Sequence, residues 1–265
     1  MSTFPKPTEI TKSVKDFLKR SDIRDYLNDK NFQKIYEECD SLDTAELTEI
    51  FLYITQSPEA ILQNMDYVPP TMFVDNKKLT SISIPSTIDY IGKSAFKYCT
   101  NLSNITFEGN TMYQGFGPSA FRDCASLTEF TLMPDYRLDE LPSNCFRNCT
   151  SLKTVDLSNN TWIRKLGRGC FEGCCNLRTV LLPETLMELD TRCFYDCTSL
   201  RQIYLPKGID LYSDCFKGCT SLKTVYYNGE LEDWNKNNGH LSPKSYGWDL
   251  VNDNTGEVLI QGKWN

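Results

Sequence analysis

The chain has 265 residues, 40% of them hydrophobic and 24% charged, which is enough for one extended core and a small second unit. Its 35 acidic and 28 basic residues give a formal charge of −7, which disfavours a nucleic-acid backbone as the main partner. No run of about 18 apolar residues exists, so no membrane insertion is expected. The stretch Met1 to Arg20, with Lys6, Lys12, Lys15 and Lys19 among polar neighbours, does not read as a signal peptide. These features predict a cytoplasmic protein, in the host-cell cytoplasm if a virus encodes it.

Residues 1–65 read as helical. Val14, Phe17 and Leu18, then Ile23, Tyr26 and Leu27, then Leu47, Ile50, Phe51 and Ile54 recur at three- and four-residue spacing. Asp43 and Thr44 stand where they would cap the helix carrying the last set, with Glu46 and Glu49 near its positive end. The sum is three or four short helices. Two roles are open for them: a cover for the apolar end of the array that follows, or a separate docking domain.

Residues 66–228 repeat one pattern seven times. Its anchor is Phe73, Phe96, Phe121, Phe146, Phe171, Phe194 and Phe216, at steps of 23, 25, 25, 25, 23 and 22 residues. Such a period lies in the leucine-rich-repeat range. Six residues after each anchor stands a leucine, Leu79 through Leu222, and it opens an L-x-x-I-x-L segment that reads as a short strand with alternate residues inward. Five residues before each anchor another apolar side chain recurs, from Val68 to Leu211. A unit of this size cannot bury its own apolar side, so the copies are expected to stack into a solenoid with a strand ladder along one face.

Residues 229–265 read as a C-terminal cap. Trp234 should pack on the last coil, and Trp248 to Val251 with Glu257 to Ile260, separated by a Gly-containing turn, predict a β-hairpin that shields the final strand edge. The fold class is therefore α+β: a seven-copy repeat solenoid with an N-terminal helical domain or cap and a C-terminal hairpin.

The wording A/C-F-x-x-C-x-S/N-L, with proline after the strand at Pro183 and Pro206, resembles the BspA-type (Treponema-type) leucine-rich repeat family over about residues 66–228. The Tyr227-Asn228-Gly229 to Trp234 segment resembles the Y-x-G-x-x-x-x-W ending of such arrays. The resemblance implies a curved solenoid used for protein–protein contact, often as a surface adhesin. The first copy departs from it at Asn76, where later copies have cysteine, as a terminal repeat would. Copies two to four carry two-residue insertions that lengthen their loops.

Ten of the twelve cysteines lie inside the repeat. Cys99, Cys124, Cys149, Cys174, Cys197 and Cys219 follow the anchor by three, and Cys145, Cys170, Cys193 and Cys215 precede it by one, a place where earlier copies have Ala95 and Ala120. The exchange with alanine predicts a small buried apolar thiol. Zinc would need such pairs gathered in fours, and disulfides would need an oxidising compartment.

Little else carries chemistry. His240 is the single histidine, in a polar stretch where it reads as surface decoration, so a His-based triad or metal site is not expected. No phosphate loop or dinucleotide fingerprint occurs, so no cofactor is expected.

Suspicion therefore falls on exposed positions. Two residues after each leucine the outward column is polar throughout. Four after it, the column turns apolar at Leu181, Tyr204 and Tyr226, the composition of an interface hot region, although tyrosine also serves as a cross-strand packing residue. Beside them Lys153, Arg178, Arg201 and Lys223 form a basic row suited either to solvation or to steering an acidic partner. The longer loops bring Tyr113, Tyr136 and Trp162, as contacts or as covers of the coil edges. Two function classes follow: a non-enzymatic module binding a protein partner through the strand face or aromatic loops, or a structural component of a virus particle or cell envelope incorporated through the N-terminal helices.

Overall fold

Seven phenylalanine rings stacked face to face form the spine of the molecule. In the computed structural model, which describes residues 12–38, 43–63, 65–108, 115–132, 136–241 and 247–262, consecutive anchor rings from Phe73 to Phe216 lie 5.1–5.7 Å apart with planes within 14° of parallel. Each ring is covered by the ring before and after it, so no coil is buried without its neighbours.

A tight turn presents each anchor. The residues two before and two after it hold positive φ, between 57° and 81°, in all seven copies, from Thr71 and Asp75 to Asp214 and Gly218. That alternation aims every second backbone N–H along the stack: Ser94, Phe96 and Tyr98 donate to the carbonyls of Pro118, Ala120 and Arg122 at 3.0, 2.8 and 2.9 Å. Most of these positions are Asn, Asp, Ser or Gly, the residues that tolerate the left-handed region best. Gly173 and Gly218 are required on a second ground, because a Cβ there would collide with the side chains of Asn148 and Asp196 in the preceding coil.

Two parallel ladders run along the solenoid. The long one comprises β2 (Ser81–Ile84), β4 (Asn104–Phe107), β6 (Glu129–Thr131), β8 (Thr154–Asp156), β10 (Thr179–Leu181), β12 (Gln202–Leu205) and β14 (Thr224–Tyr227). The short one has two-residue strands, β1 (Tyr67–Val68), β3 (Tyr90–Ile91), β5 (Gly115–Phe116), β7 (Glu140–Leu141), β9 (Lys165–Leu166), β11 (Glu188–Leu189) and β13 (Asp210–Leu211). Register runs copy on copy within paired segments, β2–β4, β6–β8–β10 and β12–β14 in the long ladder and β1–β3–β5 and β7–β9–β11–β13 in the short one, as in Leu141↔Leu166 and Val155↔Val180. The apolar column before each anchor is thus a second ladder, which one recurring apolar residue per copy did not announce.

The cysteines are more than small apolar fillers. Each thiol three past an anchor donates to the carbonyl of the anchor one coil earlier, Cys99 to Phe73, Cys124 to Phe96 and so on to Cys219 and Phe194, at 2.9–3.3 Å. Asn76 stands at this place in the first copy, where its Oδ1 instead accepts from the Lys78 and Leu79 N–H groups at 3.0 and 3.1 Å. All eleven described cysteines are free, and only Cys175 is not fully buried; Cys39 lies outside the described residues.

Both ends of the stack are covered. Five helices precede the array among the described residues, α1 (Lys12–Phe17), α2 (Ser21–Asn28), α3 (Phe32–Glu37), α4 (Thr44–Thr55) and α5 (Pro58–Leu62), one more than the highest number the periodicity suggested. The extra one arises because Ser57 restarts the helix, its side chain accepting from the Ala60 N–H at 3.2 Å with Pro58 in the first turn. Asp43 caps α4 as expected, accepting from Glu46 N–H at 3.4 Å. Val14, Ile23, Phe32, Phe51 and Leu62 share one continuous core with the first coil. Gln33 Oε1 also accepts from the Asp66 N–H beside β1 at 2.7 Å.

At the other end, α6 (Leu231–Asn238) places Trp234, fully buried, edge-on to Tyr227 and Trp248, and Trp248 closes the phenylalanine column edge-on to Phe216 at 6.4 Å. β15 (Asp249–Asn252) joins β14 in parallel and β16 (Val258–Ile260) returns antiparallel, the expected hairpin over the last strand. Asn238 stands in for a missing strand at β13: its Oδ1 accepts from the Leu211 N–H and its Nδ2 donates to the Ile209 carbonyl, both at 2.8 Å. His240 joins it, with Nε2 at 3.0 Å from the Leu211 carbonyl. The histidine is therefore part of the edge cap and not idle surface decoration.

Candidate partner-binding surface

Alternation along each long-ladder strand sends Val155, Val180, Ile203 and Val225 into the core and their neighbours outward. The first outward column, Ser81, Asn104, Glu129, Thr154, Thr179, Gln202 and Thr224, is exposed or half-buried in every coil. The second begins with Ser83, Thr106, Thr131 and Asp156 and then changes character. Leu181 is 42% and Tyr204 43% exposed, with Tyr226 half-buried beside them. The rings of Tyr204 and Tyr226 lie flat on each other, 4.4 Å between centroids and 9° between planes.

The apolar row does not stop at the last coil. Val251 of β15 is in register with Tyr226, and Val258 of β16 stands opposite Val251. Val258 is 51% exposed, whereas Val251 is packed between its neighbours. Sequence reasoning missed both valines, although setting Asp249-Leu250-Val251 against Thr224-Val225-Tyr226 would have found the first. Tyr204, Tyr226, Val251 and Val258 lie on four hydrogen-bonded strands, a row about 14 Å long at about 4.8 Å per strand, with Leu181 on the preceding coil. Burial, then Tyr226 and the charge of Asp253, holds the Tyr204 hydroxyl above the ordinary tyrosine pKa.

Lys153, Arg178, Arg201 and Lys223 are all exposed and precede this row on their strands. The Arg178 N–H donates to the Lys153 carbonyl and the Lys223 N–H to the Arg201 carbonyl, each at 2.9 Å, which sets the cations side by side in two pairs. Arg178 and Arg201 thus lie three residues, about 10 Å along a strand, from Leu181 and Tyr204.

With the repeat resolved into stacked coils, the array can be set beside known proteins. Residues 66–163 and 160–238 match the BspA type leucine rich repeat region, in six copies. The chain belongs to the BspA-type leucine-rich repeat family. Its array is similar to the crystal structure of a leucine rich cell surface protein from Faecalibacterium prausnitzii, at 29% identity and a TM-score of 0.55, over 63% of this chain and 44% of that one. It is also similar to a leucine-rich repeat protein from Eubacterium ventriosum, at 21% identity and a TM-score of 0.43 over 52% of this chain and 42% of that one. A third likeness, to the Treponema pallidum leucine rich repeat protein, has 24% identity and a TM-score of 0.38 over 61% and 65% of the two chains. The chain thus spans less than half the length of the first two. No curated protein matches it.

The loop aromatics of this BspA-type array separate into different roles. Tyr136, expected either as a contact or as a cover, is a cover: it is 2% exposed, edge-on to Phe107 at 5.6 Å. Its carbonyl accepts from Asn160 Nδ2 at 2.7 Å, which holds Tyr136 inward and removes its side chain from any contact surface. Trp162 from the neighbouring loop is 41% exposed, with the Arg137 guanidinium 5.2 Å from its ring centroid. Tyr113 lies outside the described residues. Trp162 does not join the strand row, since it precedes β9 of the short ladder.

The charged network on the other flank is structural. Glu172, 7% exposed, takes Arg147 at 3.0 Å and Arg192 at 3.4 Å, tying three coils together. Lys165 sits between Glu188 and Asp190 of the next coil at 2.6 and 3.2 Å. Among the described residues no group of three or more His, Cys, Asp or Glu is placed to hold a metal ion, and no helix is long and apolar enough to cross a membrane.

Proposed function

We propose that the chain is a non-enzymatic recognition scaffold that binds a protein partner across the row from Leu181 through Tyr204 and Tyr226 to Val258. The observation that carries this reading is the exposed tyrosine stack. Two rings held flat at 4.4 Å on a rigid parallel ladder form a preorganised apolar platform, and such a platform loses little conformational freedom on binding. The polar column beside it and the cationic row below it give the rim that such platforms have in protein interfaces. Sharing a family with an array described as a cell surface protein supports recognition as the use of the solenoid.

The N-terminal helices support the same reading as a cap, because their core is continuous with the first coil, and an incorporation module would more readily keep a core of its own. A reducing compartment, such as the cytoplasm, suits the chain: six thiols donate hydrogen bonds to backbone carbonyls, and oxidation would remove those donors.

Tyr204→Ala combined with Tyr226→Ala tests the site. A partner captured from the source cell should bind the double variant at least tenfold more weakly, the loss of about 1.4 kcal/mol or more expected of interface aromatics. The melting temperature should stay close to that of the parent, because both rings lie outside the core. Unchanged affinity would remove the strand face from the function.

A further inference from the structure

Resting on the strand-face reading, we infer that the segment docking there is acidic, its carboxylates meeting Lys153, Arg178 and Arg201 while its apolar side chains rest on Leu181, Tyr204 and Tyr226. Charge complementarity carries the inference. The chain has 35 acidic and 28 basic residues, and on the same coils Lys165 has two carboxylates and Arg147 and Arg192 share Glu172, while the exposed Arg168 has none among the described residues. Lys153, Arg178 and Arg201 enter no ion pair among the described residues, although all three are exposed.

Register makes that isolation costly. Lys153 beside Arg178, and Arg201 beside Lys223, place like charges on hydrogen-bonded coils about 4.8 Å apart on the backbone, an arrangement that destabilises a sheet and that an anionic partner would relieve. The two arginines present planar forks suited to carboxylates. Asp249 and Glu129 stand in the outward column next to the basic row, and the other acids near the apolar row lie toward the other end of the strands. Asp253 acts on Tyr204, Asp156 is held by the Ser158 N–H and hydroxyl at 3.0 and 2.7 Å, and Glu184 accepts from Asn228 Nδ2 at 3.3 Å. The strip is thus most basic at Arg178 and Arg201 and acidic along the opposite border. A polyanion such as a nucleic acid would meet repulsion at the acidic border, whereas a peptide with carboxylates on one side of its apolar residues fits both.

A library of random twelve-residue peptides, displayed and panned against the full chain, tests the inference. The expected result is enrichment of peptides rich in Asp and Glu around apolar residues. Their binding should weaken at least tenfold in Arg178→Glu with Arg201→Glu, weaken measurably in Arg178→Gln with Arg201→Gln, and fall as salt is raised. Both arginines are exposed, so parent-like melting of these variants is part of the expected result. Neutral or basic peptides that lose binding in Tyr204→Ala yet ignore the arginine variants would overturn the acidic partner and leave the strand face standing. Peptides indifferent to tyrosines and arginines alike would overturn both readings. Failure to enrich any peptide, or tighter arginine-dependent binding of a thymidine dodecamer, would overturn the acidic segment.

Discussion

Phe146→Ala should lower the stability of the whole array by about 3–5 kcal/mol, far more than a substitution on the strand face. The ring is fully buried and stacks on Phe121 at 5.3 Å and Phe171 at 5.4 Å, with Phe130 at 4.5 Å from the side. Removing it opens a cavity in three coils at once, because each ring serves as floor for one neighbour and roof for the other. The adjoining turn carries a thiol bond as well, from Cys174 to the Phe146 carbonyl at 3.1 Å. In a one-dimensional stack an interior defect weakens two interfaces, so amide exchange should accelerate in the coils of Phe121 and Phe171 as well as in its own. Denaturant unfolding measures the first effect and exchange the second. A loss under about 1 kcal/mol would mean that the rings do not hold the coils together.

Alkaline pH should unfold the protein steeply. Burial raises the pKa of Cys99 from 9.0 to about 12, and Cys124, Cys145, Cys149, Cys170, Cys174, Cys193 and Cys197 are also raised, by burial first. Below the unfolded value both states keep the proton and the thiols do not bias folding. Above it the unfolded chain ionises while the native one cannot, so the thiols' contribution is lost progressively as pH rises toward each folded value. Each thiol removes about 1.4 kcal/mol per pH unit in that window. Eight acting together would exhaust a stability of about 5–15 kcal/mol near pH 10, one unit above the free-thiol value of 9.0. Replacing Cys145, Cys170 and Cys193 by alanine, the residue that Ala95 and Ala120 already supply in that column, should move the midpoint upward. A circular-dichroism titration with thiolate absorbance in parallel decides the matter. A native signal persisting with ionised thiols would contradict the buried columns.

The periodic features were legible because every copy states them again. The phenylalanine spine, the leucine strand and the C-terminal hairpin each follow from residues whose spacing admits one arrangement. The short ladder was not, since a two-residue strand shows one inward side chain and no alternation to read. The left-handed turn positions left a trace of Asn, Asp, Ser and Gly, but Tyr98 and Arg192 occupy the same places and blur it. Cysteine's part was half legible. Exchange with alanine marked the column before the anchor as small and apolar, while the hydrogen bond of the column after it depends on a carbonyl one coil away.

The surface followed the same division. Leu181, Tyr204 and Tyr226 could be placed outward because strand alternation fixes direction. Tyr136 and Trp162 could not, because the insertions that carry them lie outside the repeat, and Asn160 holds Tyr136 inward while Trp162 stays exposed. Asn238 and His240 cap β13 through side-chain hydrogen bonds that no pattern encodes.

The central claim, that this solenoid recognises its partner on the tyrosine row, is tested most directly by hydroxyl-radical footprinting of the full chain, alone and in complex with its captured partner. Tyr204, Tyr226 and Leu181 should be oxidised in the free chain and protected in the complex, while Tyr212 and Met187, exposed at 47% and 61% in the short-ladder coils, keep their reactivity. Oxidation of Tyr204 and Tyr226 at the same rate with and without partner would contradict it.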